Sequence, residues 1–330
     1  MERIALVLGA TGGIGGAVAR RLLVSGWTVR ALARPDSIGR LPNGVQAVVG
    51  DALNAEQVAC AAVGTELIVH AVNPPGYRDW DNLVLPMIDN TIVAARASGG
   101  RILLPGTVYN YGKDAFPTID ETAPQHPQTR KGAIRVEMER RLRAAAEAGE
   151  ISALVVRAGD YFGPNAGNNW FSQGLVKPGR RPQAIHNPGK RGIGHQWAYL
   201  PDVAETMVRL IERGELDRFA SFHMDGHWDA DGTHITDMIV RMLGDPTVPV
   251  KRLPWWALRI AALFASTPRE LLEMRYLWKQ PVRMTNHRLV AAIGEEPHTP
   301  LEEAVRATLI DMGCLVDGDG VKDRDRNADY

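Results

Sequence analysis

Six residues in one short stretch, Gly9, Thr11, Gly12, Gly13, Ile14 and Gly15, have the types and spacing that let a chain hold an anion with its own backbone. Glycines at 9, 12 and 15 allow a tight turn, let a phosphate group approach main-chain N–H groups, and let a following helix pack closely on the strand before it. The anion would then sit at the positive N-terminus of that helix. The flanks suit this arrangement. Residues 4–8 are a compact apolar run short enough for a buried strand, and Ile14, Val18, Leu22 and Leu23 recur at helical spacing. Strand, glycine turn and helix in that order bind the pyrophosphate of a dinucleotide.

Arg34 stands nineteen residues after Gly15, at the end of a second strand expected over 27–33. An acid at that place takes the ribose 2′-hydroxyl of NAD, whereas an arginine accommodates the 2′-phosphate of NADP. With Arg30 and Ser37 near it and Asp36 the one acid close by, Arg34 favours NADP(H), with NAD(H) as the alternative. A third strand at 45–49 runs into Asp51 and Ala52, and a fourth at 67–72 runs into Asn73-Pro74-Pro75-Gly76. Ligands of an open parallel sheet gather beyond the carboxyl ends of its strands. Asp51, Ala52 and the backbone of Ala71, Val72 and Asn73 are therefore placed to touch adenine and ribose.

These residues need a scaffold, and the pattern of elements supplies one. Helical stretches at 82–97 and 134–148 alternate with strands at 101–104 and 153–157, which indicates a doubly wound parallel α/β sheet, a Rossmann fold with right-handed crossovers. After Gly163-Pro164 the alternation breaks, and Pro, Gly, Asn and Arg dominate to Gly194. The expected division is a dinucleotide-binding domain over 1–165, to which 195–213 returns, and a smaller, mainly helical substrate-binding region over 166–194 and 214–315. Residues 316–330 read as a solvated tail. Thr299-Pro300-Leu301-Glu302 reads as a capping box opening the last helix.

Length and composition agree with a soluble protein. At 330 residues, with 38 Lys plus Arg against 38 Asp plus Glu, the chain has no general attraction for nucleic acid or anionic membrane, so a small molecule is the expected partner. Cys60 and Cys314 alone, without metal-ligand spacing, fit a reducing compartment, and the start lacks a signal-peptide pattern, so a cytoplasmic location is expected. The most membrane-like stretch, 253–265, contains Arg259 and is too short to span. It is expected to be a buried or substrate-facing amphipathic helix.

Four landmarks occur in order: the Thr11-Gly12-x-x-Gly15 turn, Gly50-Asp51, Arg157-Ala158-Gly159 with Phe162-Gly163-Pro164, and Leu200-Pro201-Asp202-Val203-Ala204. With them the sequence resembles the extended short-chain dehydrogenase/reductases, the NAD-dependent epimerase/dehydratase family, over nearly its whole length. The resemblance implies that Asp51 contacts adenine, that Ala71–Asn73 and Ala158 lie along the cofactor, and that the chain after Gly163 builds the substrate site. It also implies a homodimer through the helices near 82–97 and 134–148.

One departure bears on the chemistry. Family members use a Ser or Thr followed by a Tyr-x-x-x-Lys pair, the Tyr acting as acid or base. Thr107 matches the Ser/Thr position, but 24 residues on stands Lys131, with Arg135 four further. Lys thus replaces Tyr and Arg replaces Lys. If a hydride moves between nicotinamide and substrate, a protein group must handle the proton. Lys131 is the first candidate, because Arg135 beside it would disfavour its charged form. Tyr109, Tyr111 and Tyr161 are rivals. The alternative reading of Lys131 and Arg135 is a positive patch that only positions a cofactor phosphate or substrate carboxylate. A catalytically silent NADP(H) sensor is the alternative from another class.

The His and Asp residues of 223–231 fit no metal-ligand spacing, and no metal is expected. No G-x-S-x-G elbow or phosphate-binding P-loop occurs, which removes those hydrolase and triphosphatase readings. Trp170, Phe171, His195, Trp197 and Trp228 fall in the substrate region, where they would stack on a ring or sugar face, or simply pack a core.

Overall fold

The computed structural model describes residues 2–74, 79–167 and 169–316. The expected tail beyond 316 and the turn residues Pro75 and Gly76 lie outside these.

The chain runs β1 (Ile4–Leu8), α1 (Gly13–Val24), β2 (Thr28–Ala33), β3 (Gln46–Val49), α2 (Ala55–Ala61), β4 (Leu67–His70), α3 (Trp80–Ser98), β5 (Arg101–Gly106), β6 (Thr118–Ile119) and α4 (Arg130–Glu147). It continues β7 (Ala153–Arg157), β8 (Asp160–Phe162), β9 (Ile185–Asn187), β10 (His195–Tyr199), α5 (Leu200–Arg213), β11 (Phe219–His223), β12 (His227–Asp229) and α6 (His234–Leu243). The last elements are β13 (Val250–Arg252), α7 (Trp255–Ala261), α8 (Ser266–Glu273), β14 (Arg283–Met284), α9 (His287–Ile293) and α10 (Leu301–Asp311).

Seven strands form one parallel sheet in the order β3-β2-β1-β4-β5-β7-β11. The order reverses direction at β1/β4, so the crevice of a doubly wound sheet opens there. Strand β1 is apolar throughout because both of its faces are covered. Ala5 and Val7 join a core with Val18 and Leu22 of α1 and Met207 and Val208 of α5, while Leu6 and Leu8 pack with Val84 and Ile88 of α3 and Met138 and Leu142 of α4. This Rossmann-like α/β sheet is the fold expected.

A separate core holds the other lobe, where Phe162, Phe171 and Trp197 pack with Ile235, Leu277, Trp278 and Met284. Small sheets separate from the main one accompany it: β10 between β8 and β12, β9 with β13, and β6 with β14. The irregular stretch after Gly163 contains one π turn, Phe171–Leu175, besides β9.

Two local expectations are corrected. Residues 253–265 do not form a buried helix: α7 has no buried residue, and Leu263 and Phe264 stand in solvent. Thr299 caps nothing in α10, because its N–H and hydroxyl both donate to Asp202 of α5. A tertiary carboxylate outcompeted the local cap. Among the described residues, no helix is long and apolar enough to cross a membrane.

Candidate active site

The carboxyl ends of β1, β2, β4 and β5 converge on a cleft of about 700 Å³. Its floor is the turn between β1 and α1. Gly9 adopts φ +92°, and a Cβ there would stand 2.6 Å from the Ala71 carbonyl oxygen, so only glycine lets the end of β1 lie against the end of β4. The Gly12 N–H bonds the Gly9 carbonyl at 3.0 Å, and α1 begins at Gly13 with no side-chain cap and no acid in its first turn. Its N-terminal N–H groups are therefore open to an anion, which is what a dinucleotide pyrophosphate requires. Gly9, Thr11, Gly12, Gly13 and Ile14 all line the cleft. Gly15 does not. It is buried, and a Cβ on it would stand 2.2 Å from the Gly9 carbonyl oxygen, so its part is to let α1 pack on the turn rather than to face a ligand.

Arg34, exposed at the end of β2, lines the same cleft with Ser37 and Arg40, and Arg40 donates to the Ser37 hydroxyl at 3.1 Å. Asp36 is not among the lining residues. Across from it are Asp51 and Ala52. Asp51 Oδ1 accepts from the Leu53 N–H at 2.9 Å, and its own N–H donates to Gln57. Ala71, Val72, Asn73 and Ala158 complete this wall.

Thr107, Tyr109, Lys131 and Arg135 line the cleft beyond the end of β5. Gly132 makes this possible, since a Cβ there would meet the Tyr109 carbonyl oxygen at 2.2 Å, and its absence brings the 108–110 turn against α4. The Thr107 hydroxyl donates to Asn110 Oδ1 at 3.1 Å. Asn110 is fully buried, and its amide NH₂ is held by Gln125 and Glu139, which fixes which way the amide points. Behind it Arg157, 0% exposed, makes two bonds to Glu139 and one to the Thr107 carbonyl. A buried charged network thus sets the position of Thr107.

Lys131 and Arg135, one helical turn apart on α4, project to the same side. Arg135 donates to Asn73 Oδ1 at 2.8 Å, and its guanidinium lies 5.3 Å from the centre of the Trp80 ring. Lys131, 2% exposed, is ion-paired with Glu270 of α8, and Glu273 lies 3.8 Å from its ammonium. From sequence only Arg135 could be placed beside Lys131; the fold adds these two carboxylates. Nothing in the sequence pointed to them, because they stand about 140 residues away on an otherwise ordinary amphipathic helix.

Among the rival tyrosines, Tyr111 is 1% exposed, bonds His223 at 3.1 Å and does not line the cleft. Tyr161 does line it, but burial pushes its phenol up to about 12 and its hydroxyl is enclosed. Tyr109 remains on the surface of the cleft. Asn165, Ala166, Asn169, Trp170 and Gln173, from the irregular stretch after Gly163, also line the cleft. Of the aromatics singled out from sequence, Trp170 reaches the cleft, whereas Phe171 and Trp197 are core. His195 stacks on Trp278 at 3.6 Å and bonds Asp160, which does line the cleft. Trp228 fills the space above Gly194.

Asp229, Asp231 and His234 are close enough to share an ion. Asp229, however, already accepts from the N–H groups of Thr233 and Ile235 at the start of α6, and Asp231 from that of Thr233.

The family model for the NAD dependent epimerase/dehydratase family matches residues 5–219. The chain belongs to that family. Its members are NAD(P)-dependent oxidoreductases and epimerases, so the protein is an enzyme of that class. It is 26% identical to the uncharacterized protein y4nL of Sinorhizobium fredii over 268 residues, 73% of this chain and 71% of that one. It is 33% identical to the dTDP-6-deoxy-L-talose 4-dehydrogenase (NAD(P)(+)) of Kitasatospora kifunensis over 168 residues, 48% of this chain and about half (52%) of that enzyme. Among solved structures, the UDP-glucose 4-epimerase of Thermotoga maritima superposes with a TM-score of 0.72 at 16% identity, covering 93% of this chain and 97% of that one, which shows a shared fold.

Proposed function

We propose that the protein is an NADP(H)-preferring oxidoreductase or epimerase acting on a small carbonyl or hydroxyl compound, a nucleotide sugar among them, in which Lys131 stands in for the family's tyrosine. The observation that carries this reading is the convergence of Thr107, Lys131 and Arg135 on the same cleft as the glycine turn and Arg34. When bound, the nicotinamide supplies or accepts the hydride. The open N–H groups of α1 receive its pyrophosphate, and the Arg34, Ser37 and Arg40 cluster receives a 2′-phosphate. Arg135, held by Asn73 and Trp80, positions the nicotinamide end of the cleft.

Thr107 orients the substrate oxygen. Because its hydroxyl donates to Asn110, its free lone pairs suit a substrate hydroxyl, and it turns to donate when that oxygen is a carbonyl. Lys131 gives its proton to the oxygen during reduction and takes it back during oxidation, while Glu270 keeps the ammonium in place.

The test is transfer of deuterium from NADPH labelled at nicotinamide C4 to a panel of nucleotide sugars and small ketones, followed by mass spectrometry. Labelled product that disappears in Lys131→Met supports the assignment. Full turnover by Lys131→Met together with loss in Tyr109→Phe moves the proton to Tyr109. Tight cofactor binding with neither label transfer nor sugar interconversion favours a sensor over an enzyme.

A further inference from the structure

The outer side of the C-terminal lobe carries a surface that the cleft does not use. Residues 246–269 contain Lys251, Arg252, Arg259 and Arg269 and no acid, in a chain whose opposite charges balance overall. Trp256 is 70% exposed, Ile260 55%, Leu263 73% and Phe264 86%. Their spacing of four, three and one places them along one side of α7 and the turn that follows, as a ridge of large apolar side chains facing water. Beside the ridge lies a depression of about 440 Å³ lined by Arg252, Arg259 and Arg275 with Trp255 and Trp256. Among the described residues none of these three guanidinium groups has an acidic partner, and Arg275 lies over the Trp255 ring at 5.1 Å.

We propose that this face docks on an anionic lipid bilayer, with the three arginines receiving phosphate headgroups and the 256–264 ridge entering the acyl boundary. An exposed helix with a strongly apolar side and flanking cations is the form that lies in a membrane interface. Tryptophan favours that depth because one end of its ring system is apolar and the other polar. A symmetric pairing of two copies through this face would bring their unpaired cations together, which disfavours it. The surface abuts the cleft: the Trp255 ring is 5.9 Å from that of Trp170, and α8, directly after the ridge, supplies Glu270 and Leu271 to the cleft wall. A bilayer held here lies along the outside of that wall. The inference rests on this face alone and stands whatever the substrate is.

The test is co-sedimentation of the full chain with vesicles of phosphatidylcholine alone and of phosphatidylcholine mixed with phosphatidylglycerol. Binding is expected to the mixed vesicles and not to the neutral ones, and to fall as salt rises from about 0.1 M to 1 M. The double variant Arg252→Gln, Arg259→Gln should bind roughly 25-fold more weakly, about fivefold for each cation lost. Leu263→Ser with Phe264→Ser should weaken binding about tenfold or more without changing its salt dependence. Both variants alter exposed side chains, and unchanged melting temperatures verify that they fold. Equal binding of both vesicle types, or an arginine variant that sediments like the parent, overturns the proposal. So does displacement by inorganic phosphate at an ionic strength where chloride has no effect, which marks a site for the free ion. A dimer that the Leu263→Ser, Phe264→Ser variant dissolves assigns the face to a second copy.

Discussion

Replacing Arg34 with alanine tests how the cleft chooses between cofactors. Arg34 stands exposed where β2 ends, on the cleft, with Arg40 two turns further along the 35–40 segment and tied to Ser37. The nearest acid along the chain, Asp36, does not line the cleft, so among the described residues the end of β2 offers the 2′-hydroxyl of NADH no carboxylate. A hydrogen bond to a charged group contributes roughly 1.5–3 kcal/mol. Water screens this exposed guanidinium and reduces that to about 1 kcal/mol. Arg34→Ala should therefore weaken NADPH about fivefold and leave NADH within about twofold, and adding Arg40→Ala should roughly square the loss for NADPH. Titration calorimetry with each cofactor reads the ratio directly, and the proposed preference for NADPH should shrink at high salt. Equal losses for both cofactors, or no change for either, would refute the assignment of Arg34 to a 2′-phosphate.

Three further outcomes follow from the geometry. Gly15→Ala places a methyl 2.2 Å from the Gly9 carbonyl oxygen, so it should destabilise the fold by about 1–3 kcal/mol and weaken both cofactors together, read by urea unfolding and by titration. Glu139→Gln strands the fully buried Arg157 without its counter-charge, and a lowered urea midpoint worth about 3–5 kcal/mol is expected, with Thr107 losing its support. His70 and His223 are buried, and desolvation holds both down to about 3, so they stay neutral in the fold while the unfolded chain takes up protons below pH 6.5. Stability should then be unaffected by them above pH 7 and fall by about 1.4 kcal/mol per histidine for each pH unit below 6.5. A urea midpoint that stays flat between pH 7 and pH 5, with the carboxylates still charged, would contradict their burial.

Local signals account for the parts of the molecule that could be read without coordinates. The apolar run 4–8, the glycines that follow it and the alternation of strand and helix defined the sheet and the phosphate cradle, because a strand buried on both faces and a turn of that tightness each demand particular residue types nearby. The positions of Arg34, Asp51 and Asn73 followed too, since the ends of parallel strands always face the same edge. Tertiary structure decided everything that depends on chain segments far apart. Glu270 reaches Lys131 across about 140 residues, Thr299 gives up its cap for Asp202, and the Asn110, Glu139 and Arg157 network holds Thr107 from three elements. A charge carries no mark in the sequence of which partner it will meet. The same limit explains why one side of 253–265, apolar enough to suggest burial, faces solvent: amphipathic spacing shows that a face exists, and only the packing of the other elements determines whether anything covers it.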